Sequence, residues 1–316
     1  MCYNVIVLII DEKQYYILRG DNMKTYKAIK GSGFLYIFGI TVLYNGLIIL
    51  LLNLINSYVI FNILKVLFVV CNLYQLYYIG LSLSLKYVIG DKFSIVAIGG
   101  IRKISIPYDK IQGYKRNQGK IKGVKLSGYG SNNFALGKFV INQIGITRMF
   151  ATSNKEIVYL NVEDMNYAVS PVNSEEFIKG LEKMGVHCIE WEPRVIKNTN
   201  LYKEKKIMIP FMAVTVIIVI MILNPFILYL KNKLPGLMPL NFDSAFIPLE
   251  RGTGKQFAFT QMAYGVLNMA ILICMYYASH FYSKYDKKSA PKFIYIALII
   301  AVLFLIMQFR ILFKFS

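Results

Sequence analysis

The sequence predicts a membrane protein of about five transmembrane helices carrying one inserted β-rich domain. Three observations lead there. Of the 316 residues, 56% are hydrophobic and only 17% charged, against a charged share of about 25% in ordinary soluble chains. The hydrophobicity is concentrated in long uncharged blocks separated by a polar, glycine-punctuated middle, which separates membrane spans from a folded domain. The Lys and Arg residues, which give a net charge of +19, fall mainly on one side of those blocks.

From the N-terminus, the first apolar run, Val5 to Ile10, is too short to span and lacks the basic leader and small-residue cleavage site of a signal peptide. Met23 opens Met-Lys-Thr-Tyr-Lys and is the expected natural start; residues 1–32 are assigned to an N-terminal cytoplasmic segment. Residues 33–83 form a transmembrane hairpin. Its spans run from about Gly33 to Ile55 and from about Tyr58 to Leu81, each long enough to cross roughly 30 Å of hydrocarbon. Residues 207–316 carry three further spans, at about Ile207 to Tyr229, Phe259 to Tyr282 and Phe293 to Phe313, with an outer loop at 230–258. Pro225 removes a backbone donor near the end of the third span, so a kink or an early helix end is expected there.

Orientation follows from the cations. Five lie in the N-terminal segment, including Lys13 and Arg19, twenty between Lys86 and Lys206, and four (Lys284, Lys287, Lys288, Lys292) between spans four and five. That makes 29 on one side against 6 on the other, with Lys65 inside a span. The positive-inside rule puts the N-terminus and the middle domain in the cytoplasm and the C-terminus outside.

The domain, residues 84–188, reads as strands. Leu85–Ile89 and Phe93–Ile98 make a hairpin, and further strands are expected at 103–106, 111–115, 138–141, 147–151, 157–162 and 166–169. Asn173 or Ser174 then caps a helix whose first turn holds Glu175 and Glu176, with Phe177, Ile178, Leu181 and Met184 as its apolar face and Gly185 beyond its end. Seven or eight strands closed by one helix describe a small barrel. A linker, residues 189–206, leads back to the spans.

The order of these segments, with Ile106-Pro107-Tyr108-Asp109-Lys110-Ile111, Gly137-Lys138-Phe139, Gly145 to Thr152, and Ser170-Pro171 before a Glu-Glu-Phe helix, resembles the bacterial pleckstrin-homology-like (PH) domain over about Ser84 to Val186. The resemblance implies a seven-stranded bent barrel capped by a C-terminal helix, beside transmembrane spans, with no assigned enzymatic activity. The outer loop Leu234-Pro235 to Asp243, with Gly254-Lys255, resembles more weakly a bacterial membrane family of unknown function with a Leu-Pro/Pro-His-Phe loop. Here Asn241 stands where that family often has histidine.

Several chemistries are disfavoured. Cys2, Cys71, Cys188 and Cys274 show no CxxC spacing, and there are two histidines, His187 and His280, so no metal or disulfide framework is expected. Arg251-Gly252-Thr253-Gly254-Lys255 fails as a phosphate loop, because residue 249 is Leu rather than the required glycine. No nucleic-acid motif is present. Asp109, Glu163 and Asp164 form no paired acid arrangement. No catalytic residue and no cofactor are assigned.

The candidate site residues fall in two groups. Lys115, Arg116, Lys120, Lys122, Lys125 and Arg148 are a possible surface for anionic lipid or a phosphorylated ligand, the alternative being a solvated loop. Lys65, Asn72 and Gln75 are a possible intramembrane polar site, with snorkelling and helix-to-helix hydrogen bonds as the alternative. The expected role is a non-enzymatic interaction or regulatory module at the inner face of a bacterial cytoplasmic membrane, in envelope stress or bacteriocin tolerance, with membrane lipids and a protein as partners. The AT-rich composition points to a Gram-positive source. The competing role is transport or permeation through the helices, with the domain as a regulatory cap.

Overall fold

The computed structural model describes residues 23–163, 165–192, 204–287 and 289–315. Cys2, Lys13, Arg19, Asp164, Lys288 and linker residues 193–203 lie outside them. Among the described residues, five helices are long and apolar enough to cross a membrane: α1 (Gly33–Leu54), α2 (Tyr58–Ser84), α4 (Lys205–Leu230), α5 (Gly254–Ser283) and α6 (Lys292–Phe315). The chain divides into two compact units, Met1–Thr41 with Tyr74–Pro193, and Val42–Leu73 with Arg194–Ser316.

In the first unit, β1 (Lys24–Lys27), β2 (Lys86–Ile89), β3 (Phe93–Ala97) and β4 (Arg102–Ile106) form one antiparallel sheet in that order. A second, six-stranded sheet holds β5 (Ile111–Asn117), β6 (Gly123–Ser131), β7 (Phe134–Ile141), β8 (Gly145–Ala151), β9 (Ile157–Val162) and β10 (Asn166–Val169), in the order β5-β9-β10-β8-β7-β6. The β8–β10 pair is parallel.

The expected closed barrel is therefore corrected: among the described residues the strands of this unit number ten and lie in two separate sheets. The ladder breaks between β4 and β5 at Pro107, which has no N–H to give, and a 3₁₀ turn at Tyr108–Lys110 follows. Strand β5 then pairs with β9 rather than with β4.

One core joins the two sheets and α3 (Ser174–Lys183). Tyr87, Phe93 and Ile95 from the first sheet meet Leu136, Phe150 and Leu160 from the second and Phe177 and Leu181 from the helix. The Tyr87 hydroxyl, fully buried, donates to the Phe150 carbonyl at 2.7 Å and accepts from the Ser170 N–H at 3.1 Å. Burial raises its pKa above the ordinary tyrosine range. Asn173 is the N-cap of α3, but its amide reaches Glu176 at 3.4 Å instead of the helix backbone. Met184, expected in the apolar face, is exposed, and Val186 is buried after the helix ends.

In the second unit, α4, α5 and α6 pack around Val214, Ile218, Leu272, Ala297 and Ala301. Helix α4 runs through Pro210 and Pro225 to Leu230, so the early end expected at Pro225 does not occur. The segment assigned to the outer loop contains a hairpin, β11 (Met238–Phe242) with β12 (Pro248–Gly252). Thr253 caps α5 in a reciprocal capping box with Gln256, which explains the Gly-Thr-Gly-Lys run without any phosphate.

Candidate functional site

The basic run is spread over the second sheet. Lys115 and Arg116 lie on β5, the former 3.8 Å from Glu190 and the latter ion-paired with Glu156. Lys120, Lys122 and Lys125 are exposed on the β5–β6 connection and the start of β6, the opposite edge of the sheet. Arg148 stands apart from them on β8.

What the fold does bring to Arg148 is Lys138. The turn at 142–144 sets the β7–β8 register so that Lys138 faces Arg148, and Ser127 of β6 pairs with Lys138 in turn. Side chains alternate along a strand, so these three residues share the face of Leu136 and Phe150, which point into the core. Gly128 and Gly137 make this close hairpin possible. They are register partners at φ +96° and +130°, and a Cβ on either would come within 2.2 Å of a facing carbonyl oxygen.

The last turns of α2 cover this row. Tyr77, Tyr78 and Leu81 roof a cavity of about 70 Å³ floored by Ser127, Gly137, Lys138 and Arg148. Tyr74 fastens the roof: its hydroxyl accepts from the Gly128 N–H at 3.0 Å, and Tyr74, Tyr78 and Tyr129 pack with ring centroids 4.9–5.7 Å apart. The Arg148 guanidinium lies 6.0 Å from the Phe150 ring. Among the described residues no carboxylate is ion-paired with Arg148. The Arg148 guanidinium, with hydroxyl groups beside it, can hold an anion by charge-assisted hydrogen bonds.

The intramembrane candidates have separate partners. Lys65 lies 4.2 Å from the Phe61 ring centroid, one turn back on α2. The Asn72 and Asn45 amides bond reciprocally at 2.8 and 2.9 Å. Gln75 is buried, and its Oε1 has no hydrogen-bond partner among the described residues.

A polar locus that the sequence reading missed lies among α4, α5 and α6. Gln308 Nε2 donates to the Met221 carbonyl at 2.9 Å. That carbonyl is the one the residue four positions on would normally bond, and that residue is Pro225. Gln308 Oε1, Asn224 Nδ2 and Asn268 Oδ1 are buried without partners among the described residues.

The family model for the bacterial PH domain matches residues 85–185, the two sheets and helix α3. A protein of Clostridium acetobutylicum, described only as uncharacterized, is 41% identical over 290 residues, covering 92% of this chain and 98% of the relative. The chain belongs to this bacterial PH-domain family. No solved structure matches it. The PH domain thus contains both Lys138 and Arg148, while the tyrosines that roof the pocket come from the apolar helix preceding it.

Proposed function

We propose that this chain is a multi-pass protein of the bacterial cytoplasmic membrane whose helices hold the PH domain at the inner face as a non-enzymatic interaction module. The observation that carries the reading is the pocket holding Arg148 under the tyrosines of α2, a cation-lined cleft built where a membrane-length helix enters the domain. The exposed Lys120, Lys122 and Lys125, with Lys115 and Arg116, extend the basic surface, each cation near an anionic leaflet contributing about 1 kcal/mol. The excess of Lys and Arg on the domain side supports a cytoplasmic domain and an external C-terminus. Deleting Ser84–Val186 should abolish capture of lipid and protein partners while the helices still insert. Capture unaffected by that deletion refutes the proposal.

One set of observations favours a second reading, transport or permeation with the domain as a cap. Among the described residues the buried amides of Asn224, Asn268 and Gln308 lack partners for one atom each, and unsatisfied polar groups within a bundle can mark a pathway. Solute flux in reconstituted vesicles that is lost on Lys65→Leu or Asn72→Leu supports it; no flux retires it.

A further inference from the structure

We infer that the β3–β4 turn is a membrane-dipping loop, with Ile101 entering the anionic leaflet beside the last turn of α2 and Arg102 and Lys103 meeting lipid phosphates. The inference rests on the proposal that α2 spans the membrane. Four observations carry it.

The loop is docked on the helix end. The Ile98 N–H donates to Ser84 Oγ at 2.6 Å, and Ser84 Oγ donates to the Gly80 carbonyl at 2.6 Å. The Ile98 side chain lies 3.5 Å from where a Cβ on Gly80 would stand. The turn is therefore level with residues 80–84, where α2 still exposes apolar surface: Leu83 is 65% exposed.

The backbone is held in an uncommon shape that displays one side chain. Ile98, Gly99 and Gly100 sit at φ +54°, +58° and +94°, and a β-branched residue in the left-handed region is a true outlier. Strain of this kind persists only where surrounding contacts fix it, and Ser84 and Gly80 supply them here. The residue so displayed, Ile101, is 87% exposed. A single exposed isoleucine is ordinary on a soluble surface, but at the tip of a turn fixed to the end of a membrane-length helix it suits an interfacial loop.

Cations follow the apolar tip at once. Arg102 is part-exposed and Lys103 exposed, and cations beside an apolar tip match lipid phosphates, the acceptors that lie just above the acyl boundary.

The test uses the full chain reconstituted in phosphatidylcholine vesicles with or without phosphatidylglycerol. Two single-cysteine chains carry an environment-sensitive fluorophore: one keeps only the native Cys71, in the middle of α2, and the other has only Ile101→Cys. Bromine-labelled lipids act as depth-resolved quenchers. The expected result is deep quenching at Cys71 and shallow quenching at residue 101, the latter stronger with phosphatidylglycerol and weakened by Arg102→Gln with Lys103→Gln. Quenching at Cys71 with a water-like, unquenched signal at 101 overturns the loop inference and leaves the membrane reading intact. A water-like signal at Cys71 overturns both. Quenching at 101 that ignores phosphatidylglycerol overturns the assignment of Arg102 and Lys103 to lipid phosphate.

Discussion

Gln308→Leu should destabilise the helical unit, and Pro225→Ala should abolish most of that cost. Proline at 225 has no N–H, so the Met221 carbonyl loses its usual partner four residues along α4. Met221 is fully buried, and no water in an apolar bundle replaces the lost bond. Gln308 on α6 does so instead, at 2.9 Å. Removing the amide leaves that carbonyl orphaned, which costs about 1–3 kcal/mol. Interhelical hydrogen bonds in membranes average nearer 0.6 and reach about 1.7 kcal/mol. The Gln308 Oε1 atom, itself buried and without a partner among the described residues, is removed at the same time and offsets part of the loss. A net cost of about 1 kcal/mol follows from these opposing contributions.

In the Pro225→Ala background, the new backbone N–H takes the Met221 carbonyl. Gln308→Leu then deletes only a surplus amide, and its cost should fall to about zero or change sign. The assay is a double-mutant cycle on detergent-solubilised protein, reading unfolding by denaturing-detergent titration. An equal cost of Gln308→Leu in both backgrounds refutes the reasoning, because Gln308 would then serve something other than the proline-freed carbonyl.

Other contacts give sharper single tests. Asn45→Leu and Asn72→Leu should each cost about 0.5–2 kcal/mol, and the double variant should cost less than the sum, since each single change strands the other amide; additive costs refute the pairing. Tyr87→Phe should lower the domain's stability by about 2–3 kcal/mol, seen as earlier thermal loss of near-ultraviolet circular dichroism, because the Phe150 carbonyl and Ser170 N–H both lose a buried partner. Burial, helped by the hydrogen bond to Glu182, pushes the Tyr114 phenol from its ordinary value of 10.0 up to about 12. A raised folded value means the stability from the neutral phenol is complete below pH 10 and lost as pH climbs through 12. Tyr114→Phe should therefore be less stable at neutral pH and flatter across that alkaline window; an unchanged alkaline slope counts against it.

The five long helices were legible because an uninterrupted apolar run of that length is itself the signal. Most strands of the domain were legible from alternation. Those missed lack that signal. β1 reads Lys-Thr-Tyr-Lys with only Tyr26 buried. β6 holds Gly123, Gly128 and Gly130 along with Lys125, a composition strands avoid, and it works because the glycines let β6 and β7 approach. The hairpin β11–β12 is disguised by Pro239 and Pro248. Sheet closure was misjudged because alternation says which residues face inward and nothing about which edges pair. The Lys138–Arg148 pair was within reach, since antiparallel strands about the turn at 142–144 put residues summing to 286 opposite one another. The tyrosine roof was not, because it depends on where a helix distant in sequence from β7 and β8 comes to lie. The capping box Thr253-x-x-Gln256 was overlooked beneath a run that looked like a failed phosphate loop.

Arg148 separates a binding role from a bracing one. It shares a sheet face with core residues Leu136 and Phe150, so its charge is partly desolvated, and no carboxylate among the described residues is ion-paired with it. A cation kept in such a place for stability alone is a poor choice, since replacing partly buried ions by apolar groups of similar size is often neutral or stabilising. Its contact with the Phe150 ring, at 6.0 Å, lies at the outer limit of such interactions and contributes about 0.5–1 kcal/mol. Arg148→Met should therefore leave thermal stability within about 1 kcal/mol of the parent, while binding to phosphatidylglycerol vesicles falls relative to phosphatidylcholine. If the variant instead melts far earlier and keeps its lipid preference, the inward cations are bracing the fold, and the anion pocket is not where this domain meets its ligand.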